Sequence, residues 1–91
     1  MIELKQGDVG KIAPFTGDKQ ILIVGAGEVV LMRSVDGNNY PMTDSSGEPL
    51  VYEGYSEDDV LLNSTISNEV NKGWISFSLK VISGEIKYLV K

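Results

Sequence analysis

Residues 73–91 constrain the fold more than any other stretch of the chain. Two runs with period-two alternation, Gly73-Trp74-Ile75-Ser76-Phe77-Ser78-Leu79-Lys80-Val81-Ile82 and Glu85-Ile86-Lys87-Tyr88-Leu89-Val90, flank the pair Ser83-Gly84. Alternation at period two marks a half-buried strand, and Ser-Gly between two such runs is a hairpin signal. With Ser83-Gly84 as a two-residue turn, Val81 faces Ile86, Leu79 faces Tyr88 and Phe77 faces Val90. All six apolar side chains then share one face. A slip of one residue would turn one strand's apolar set to the other face, so this register is strongly specified.

Turn-forming residues recur along the rest of the chain: Gly7-Asp8, Thr16-Gly17-Asp18, Gly25-Ala26-Gly27, Asp36-Gly37-Asn38-Asn39, Ser45-Ser46-Gly47 and Glu53-Gly54. Short strands between regularly spaced turns predict a sandwich or barrel. The expected strands are 2–5, 9–13, 20–24, 28–34, 40–43, 50–53, 59–66, 74–82 and 85–90. An alternative at Glu57-Asp58-Asp59-Val60-Leu61-Leu62 is one helical turn capped by Ser56. The reading is therefore an all-β chain: a single antiparallel β-sandwich of about 7–9 short strands ending in a C-terminal hairpin. It forms one domain over residues 1–91, with 1–19 as either a docking arm or edge strands.

Two runs break the alternation. Ile21-Leu22-Ile23-Val24 and Val29-Val30-Leu31-Met32 are apolar on both faces, whereas a sandwich strand needs only one apolar face. Either the N-terminal segment or a loop covers the second face, or that face docks on another subunit. The residues of the second parity, Leu22, Val24, Val30 and Met32, are the candidate interface.

Composition bears on function mainly by exclusion. The chain has no cysteine and no histidine, which removes thiolate chemistry, the commonest general base and the commonest metal ligand. The expectation is a protein that is not an enzyme and carries no cofactor and no metal. Thirteen acidic against eight basic residues give a net charge of −5, and the lysines are scattered, which argues against nucleic acid as a partner. Met1-Ile2-Glu3-Leu4-Lys5 lacks the basic and apolar regions of a signal peptide, and no apolar run reaches membrane-spanning length. Synthesis in a cytoplasm, with no membrane partner, is the corresponding expectation.

The remaining motifs favour structure over chemistry. Gly25-Ala26-Gly27 lacks the third glycine and the following helix of a dinucleotide loop, and reads as a turn. Arg33-Ser34-Val35-Asp36-Gly37-Asn38-Asn39-Tyr40 resembles a shortened Asp-box hairpin, a turn-former in its own families. Asp36, Asn38, Asp44 and Glu48 offer oxygen ligands but fall short of a calcium-loop pattern. Glu57-Asp58-Asp59 reads as a solvated loop; a carboxylate-based hydrolase would need two of these acids converging on one cleft. Asn38, Asn39, Tyr40 and Tyr55 are candidate loop contacts, and together with Tyr52 and Trp74 they would serve a carbohydrate- or peptide-binding module if they formed one exposed platform.

From Val29 to Lys91 the chain resembles the small β-sandwich structural proteins of tailed bacteriophages, of the head-decoration or cement kind. The residues that carry the resemblance are Arg33-Ser34-Val35-Asp36-Gly37, Pro41-Met42-Thr43-Asp44-Ser45-Ser46-Gly47-Glu48-Pro49-Leu50, Asn68-Glu69, Gly73-Trp74-Ile75 and Ser83-Gly84-Glu85-Ile86-Lys87-Tyr88. The turn at 36–40 is one residue shorter than the family's pattern, which has a second glycine and a tryptophan there. The resemblance implies a non-enzymatic virion protein that binds capsid or other virion proteins, often as a homo-oligomer, after synthesis in the host cytoplasm.

Overall fold

A computed structural model of the chain describes residues 1–12, 19–35, 38–66 and 76–91. Among these the regular structure is all strand: β1 (Ile2–Lys5), β2 (Val9–Lys11), β3 (Lys19–Val35), β4 (Asn38–Pro41), β5 (Val51–Glu53), β6 (Val60–Ile66) and β7 (Ser76–Val90). Every pairing is antiparallel, as expected.

The two long strands β3 and β7 form the spine, paired from Ile21↔Val90 to Ser34↔Ser76. The short strands line their outer edges end to end. β1 pairs with Glu85–Tyr88 and β2 with Ser78–Lys80, and between them the Gly7 amide donates to the Val81 carbonyl at 2.8 Å. β4, β5 and β6 follow one another down the other edge of β3. The sheet is thus four ribbons wide.

All four ribbons break at one level. The breaks are Gln6–Asp8, Ser83-Gly84 with a bulge beside it, Gly25-Ala26-Gly27, and the turn from Gly54 to Asp59. Glycine makes this corner possible. Gly84 has φ 73°, and a Cβ there would run into the Ala26 carbonyl oxygen. Gly25 has φ 142° and lies against the Glu85 carbonyl and the Ile86 Cα. Strands that bend together in this way fold a sheet into two facing layers. One layer holds β1, β6 and the 19–24 and 85–90 halves of the spine. The other holds β2, β4, β5 and the remaining halves.

The inner faces meet in a single core. Ile21 and Ile23 from one layer and Val29, Leu31, Phe77, Leu79 and Val81 from the other are buried in one cluster with Ile86 and Tyr88. Ile21, Leu31 and Phe77 line a common apolar cavity of about 170 Å³ between the layers.

The C-terminal hairpin is corrected. Residues 76–90 are one strand, and Ser83 and Gly84 pair with Glu28 and Gly27 of β3 instead of turning the chain back. The bulge places both Ser83 and Val81 against consecutive residues of β3, leaving Ile82 unpaired and 42% exposed. One extra residue shifts parity by one. Phe77, Leu79 and Val81 therefore share the inner face with Ile86 and Tyr88, five of the six apolar residues that the hairpin reading assembled, and the sixth, Val90, is half-buried against the same core. The expected strands 20–24 and 28–34 are likewise one strand, because Gly25-Ala26-Gly27 bends the chain without ending its pairing to β7. The helical turn after Ser56 is replaced by a turn and β6. Residues 2–5 and 9–11 form strands on the outer edge of β7. The proposed contact of Trp74 and the turn position Asp36 lie outside the described residues.

Candidate interaction surfaces

From Ile21 to Met32 the two parities of β3 differ in burial. Ile21, Ile23, Val29 and Leu31 point into the core, and Leu22, Val24, Val30 and Met32 alternate with them as half-buried residues of the outer face. The corner at Gly25–Gly27 divides the four. Leu22 and Val24 belong to the outer face of one layer, and Val30 and Met32 to that of the other. They supply two surfaces on opposite sides of the molecule.

Cross-strand pairing extends each surface. On the first, Val24 sits between Val60 and Lys87, and Lys87 in turn pairs with Glu3. The Lys87 Nζ lies 3.6 Å from a Glu3 carboxylate oxygen, an exposed ion pair of small energetic weight. Leu22 lies between Asn63 and Leu89, with the Gln20 amide donating to Asn63 Oδ1 at 2.7 Å. A shallow depression of about 480 Å³ beside Val24 is bounded by acids and lysines of β1, the 54–59 turn and β7.

On the second surface, direct pairing builds the row Val51, Val30, Lys80, Val9. Val9 is 58% exposed and Val51 43%. The next row is Pro41, Met32, Ser78, Lys11, and on the corner side Glu28 stands between Glu53 and Ser83. Val9, Val51 and Val60 were not singled out by the sequence reading. Each lies in a segment far from β3 along the chain, and only the register brings it beside β3.

The loop residues go to separate places. Asn38, Asn39 and Tyr40 are exposed on β4, with Tyr40 opposite Arg33 at the far end of β3. Tyr55 projects from the corner, 84% exposed, and its hydroxyl donates to a Glu53 carboxylate oxygen at 2.7 Å. That carboxylate raises the Tyr55 phenol above its ordinary pKa. The Gly54 amide donates to the Gly27 carbonyl, so Tyr55 and Tyr40 are separated by the rise of β3 from Gly27 to Arg33, about 20 Å of strand. Tyr52 packs against the core. Among the described residues these aromatics form no common platform.

The acidic turns have local structural work. Asp59 accepts from the Tyr55 and Ser56 amides at 2.6 and 3.0 Å and from the Ser56 hydroxyl at 3.0 Å. These bonds, led by the one from Tyr55, hold its carboxyl below the ordinary carboxylate value. Asp44 Oδ1 accepts from the Ser46 amide and hydroxyl and from the Glu48 amide, and its pKa is lowered by the Ser46 hydroxyl first of all. Both are Asx-type turns in which the side chain substitutes for backbone partners. Glu57 and Asp58 stay exposed on the turn that Asp59 closes. Among the described residues no three acidic side chains converge as metal ligands.

Comparison with protein-family models, curated proteins and solved structures gives no match to this chain.

Proposed function

We propose that the chain is a non-enzymatic structural subunit of a tailed-phage particle, a capsid decoration or cement protein or another head–tail component. It binds neighbouring virion proteins through its outer sheet faces, with the Asn38–Tyr40 strand and Tyr55 as further contacts. The observation that carries the reading is the row Val51, Val30, Lys80, Val9. It presents exposed valines on the outer side of a layer whose inner side already completes the core. Apolar side chains grouped on a surface mark contacts more often than isolated ones do. A second such row on the opposite side, through Val60 and Val24, suits a protein held between neighbours. The phage-like pattern of residues 33–88 supplies the kind of neighbour.

The test is the composition of particles made by the genome that encodes this chain, purified on a density gradient. The reading predicts the chain in the particle band at a fixed ratio to the major shell protein. A chain left at the top of the gradient with the unassembled proteins would overturn it and favour a carbohydrate- or peptide-binding module.

A further inference from the structure

The outer face around Val30 carries a charge pattern that matches itself. At its corner end Glu28 and Glu53 are direct cross-strand neighbours, a like-charge pairing that is unfavourable in an isolated sheet. On the diagonally opposite side stand Lys80, beside Val30, and Lys11, one row further along β2. Among the described residues none of these four forms an ion pair; the one ion pair there joins Lys87 to Glu3. Val30 lies between the two charged corners, flanked by Val51 on one side and by Met32 along its own strand.

We infer that this face docks on a second copy of the chain. The inference rests on the reading of the Val30 face as a contact surface and adds the identity of its partner. A twofold axis lying in the plane of contact, along the diagonal through Val30, brings Glu28 and Glu53 of each copy over Lys80 and Lys11 of the other. With strands about 4.8 Å apart and a rise of about 3.3 Å per residue, the same rotation sets Val51 of one copy beside Met32 of the other. It also crosses the two sheets at roughly 90°, one of the two angles at which sheets pack face to face. The contact is isologous, as most homodimer contacts are. The carboxylates that repel within one chain each gain a cation from the other, and the valines between them leave water.

Sedimentation velocity over a dilution series tests this on four samples: the native chain, K11E/K80E, E28K/E53K, and an equimolar mixture of the two variants. The native chain sediments at twice its 9.9 kDa mass at micromolar concentration and dissociates as salt is raised from 0.05 to about 1 M, where charges are screened beyond about 3 Å. Each variant alone carries one sign on both corners and sediments as a monomer. Their mixture restores the dimer, because unlike corners then meet at both contacts. A native chain that is monomeric throughout, variants that dimerise as well as the native chain, or a mixture that stays monomeric would each overturn the inference. A monomeric chain that still enters particles sinks the self-docking alone, whereas a dimer absent from particles sinks the virion reading alone.

Discussion

The Tyr88 hydroxyl donates to the carbonyl oxygen of Lys11 at 3.1 Å, although Lys11 is paired with Ser78, ten residues earlier in the strand that carries Tyr88. Ten residues of straight strand would span about 33 Å. The bond therefore closes the fold: it joins one layer to the edge of the other across the core. Tyr88→Phe removes the donor and leaves a part-buried carbonyl without it. The expected loss is about 1 kcal/mol, or roughly 4–8 °C in melting temperature for a domain of this size. Thermal unfolding followed by circular dichroism measures it, and an unchanged melting temperature would contradict the role given to this bond.

The same side chain sets an alkaline limit. Burial holds the Tyr88 phenol above its ordinary pKa of 10.0, so the unfolded chain releases this proton first. The stabilisation is complete below pH 10 and is lost as pH rises through the folded value. The melting temperature of Tyr88→Phe should fall less steeply above pH 10 than that of the native chain. Parallel slopes would contradict it.

Gly84 and Gly47 both have positive φ, 73° and 86°, but differ in their surroundings. A Cβ on Gly47 meets nothing within 4 Å, whereas one on Gly84 strikes the backbone of Ala26 and Gly27. Gly47→Ala should cost about 1–2 kcal/mol, the conformational penalty alone. Gly84→Ala adds a backbone clash of about 1–3 kcal/mol and opens the corner. Urea unfolding of the pair separates the two costs. Equal midpoints would mean that the corner tolerates a methyl group.

Much of the fold was legible in the sequence because burial leaves a period-two trace. The apolar set of residues 77–90 follows from it, and the recurring turn residues bracket most of the short strands. That residues 76–90 run on as one strand was not legible. Ser83-Gly84 as a turn and Ser83-Gly84 beside a bulge both shift parity by one, so both produce the same apolar face. What separates them is the partner: β3 stays paired to β7 through Gly25-Ala26-Gly27, and this is a long-range fact. Deleting Ile82 distinguishes the two physically. It removes the parity shift and turns Ile86 and Tyr88 outward relative to Leu79, so the chain should fail to fold, while Ile82→Ser, at an exposed site, should fold normally. A folded deletion variant would contradict the bulge.

Asp59 limits stability on the acid side. Its carboxyl titrates below the ordinary 3.8, so its stabilisation is present above that value and is lost as pH falls through the lower folded value. Asp59→Asn should unfold more easily at neutral pH and show a shallower decline below pH 4. An acid transition identical to the native one would contradict the capping role. This cap escaped the sequence reading because three consecutive acids look alike; only the Ser56–Asp59 spacing hinted at a side chain folding back on its own turn.

The candidate surface was half legible. Strand parity grouped Leu22, Val24, Val30 and Met32 although both faces of their runs are apolar, but the bend sends two of them to each side of the molecule. The valines that complete each surface come from distant segments, and local sequence cannot show which strands become neighbours.

On the proposed function, the Val30 face is a contact surface in the assembled particle. The most direct measurement compares the copy number of the native chain and of Val51→Lys on gradient-purified particles. Val51 is exposed at a sheet edge, so the substitution should change stability by no more than about 0.5 kcal/mol. The account predicts a fixed copy number for the native chain and at least a tenfold loss for the folded variant, equivalent to about 1.4 kcal/mol of contact energy. Equal incorporation of the two chains would contradict it.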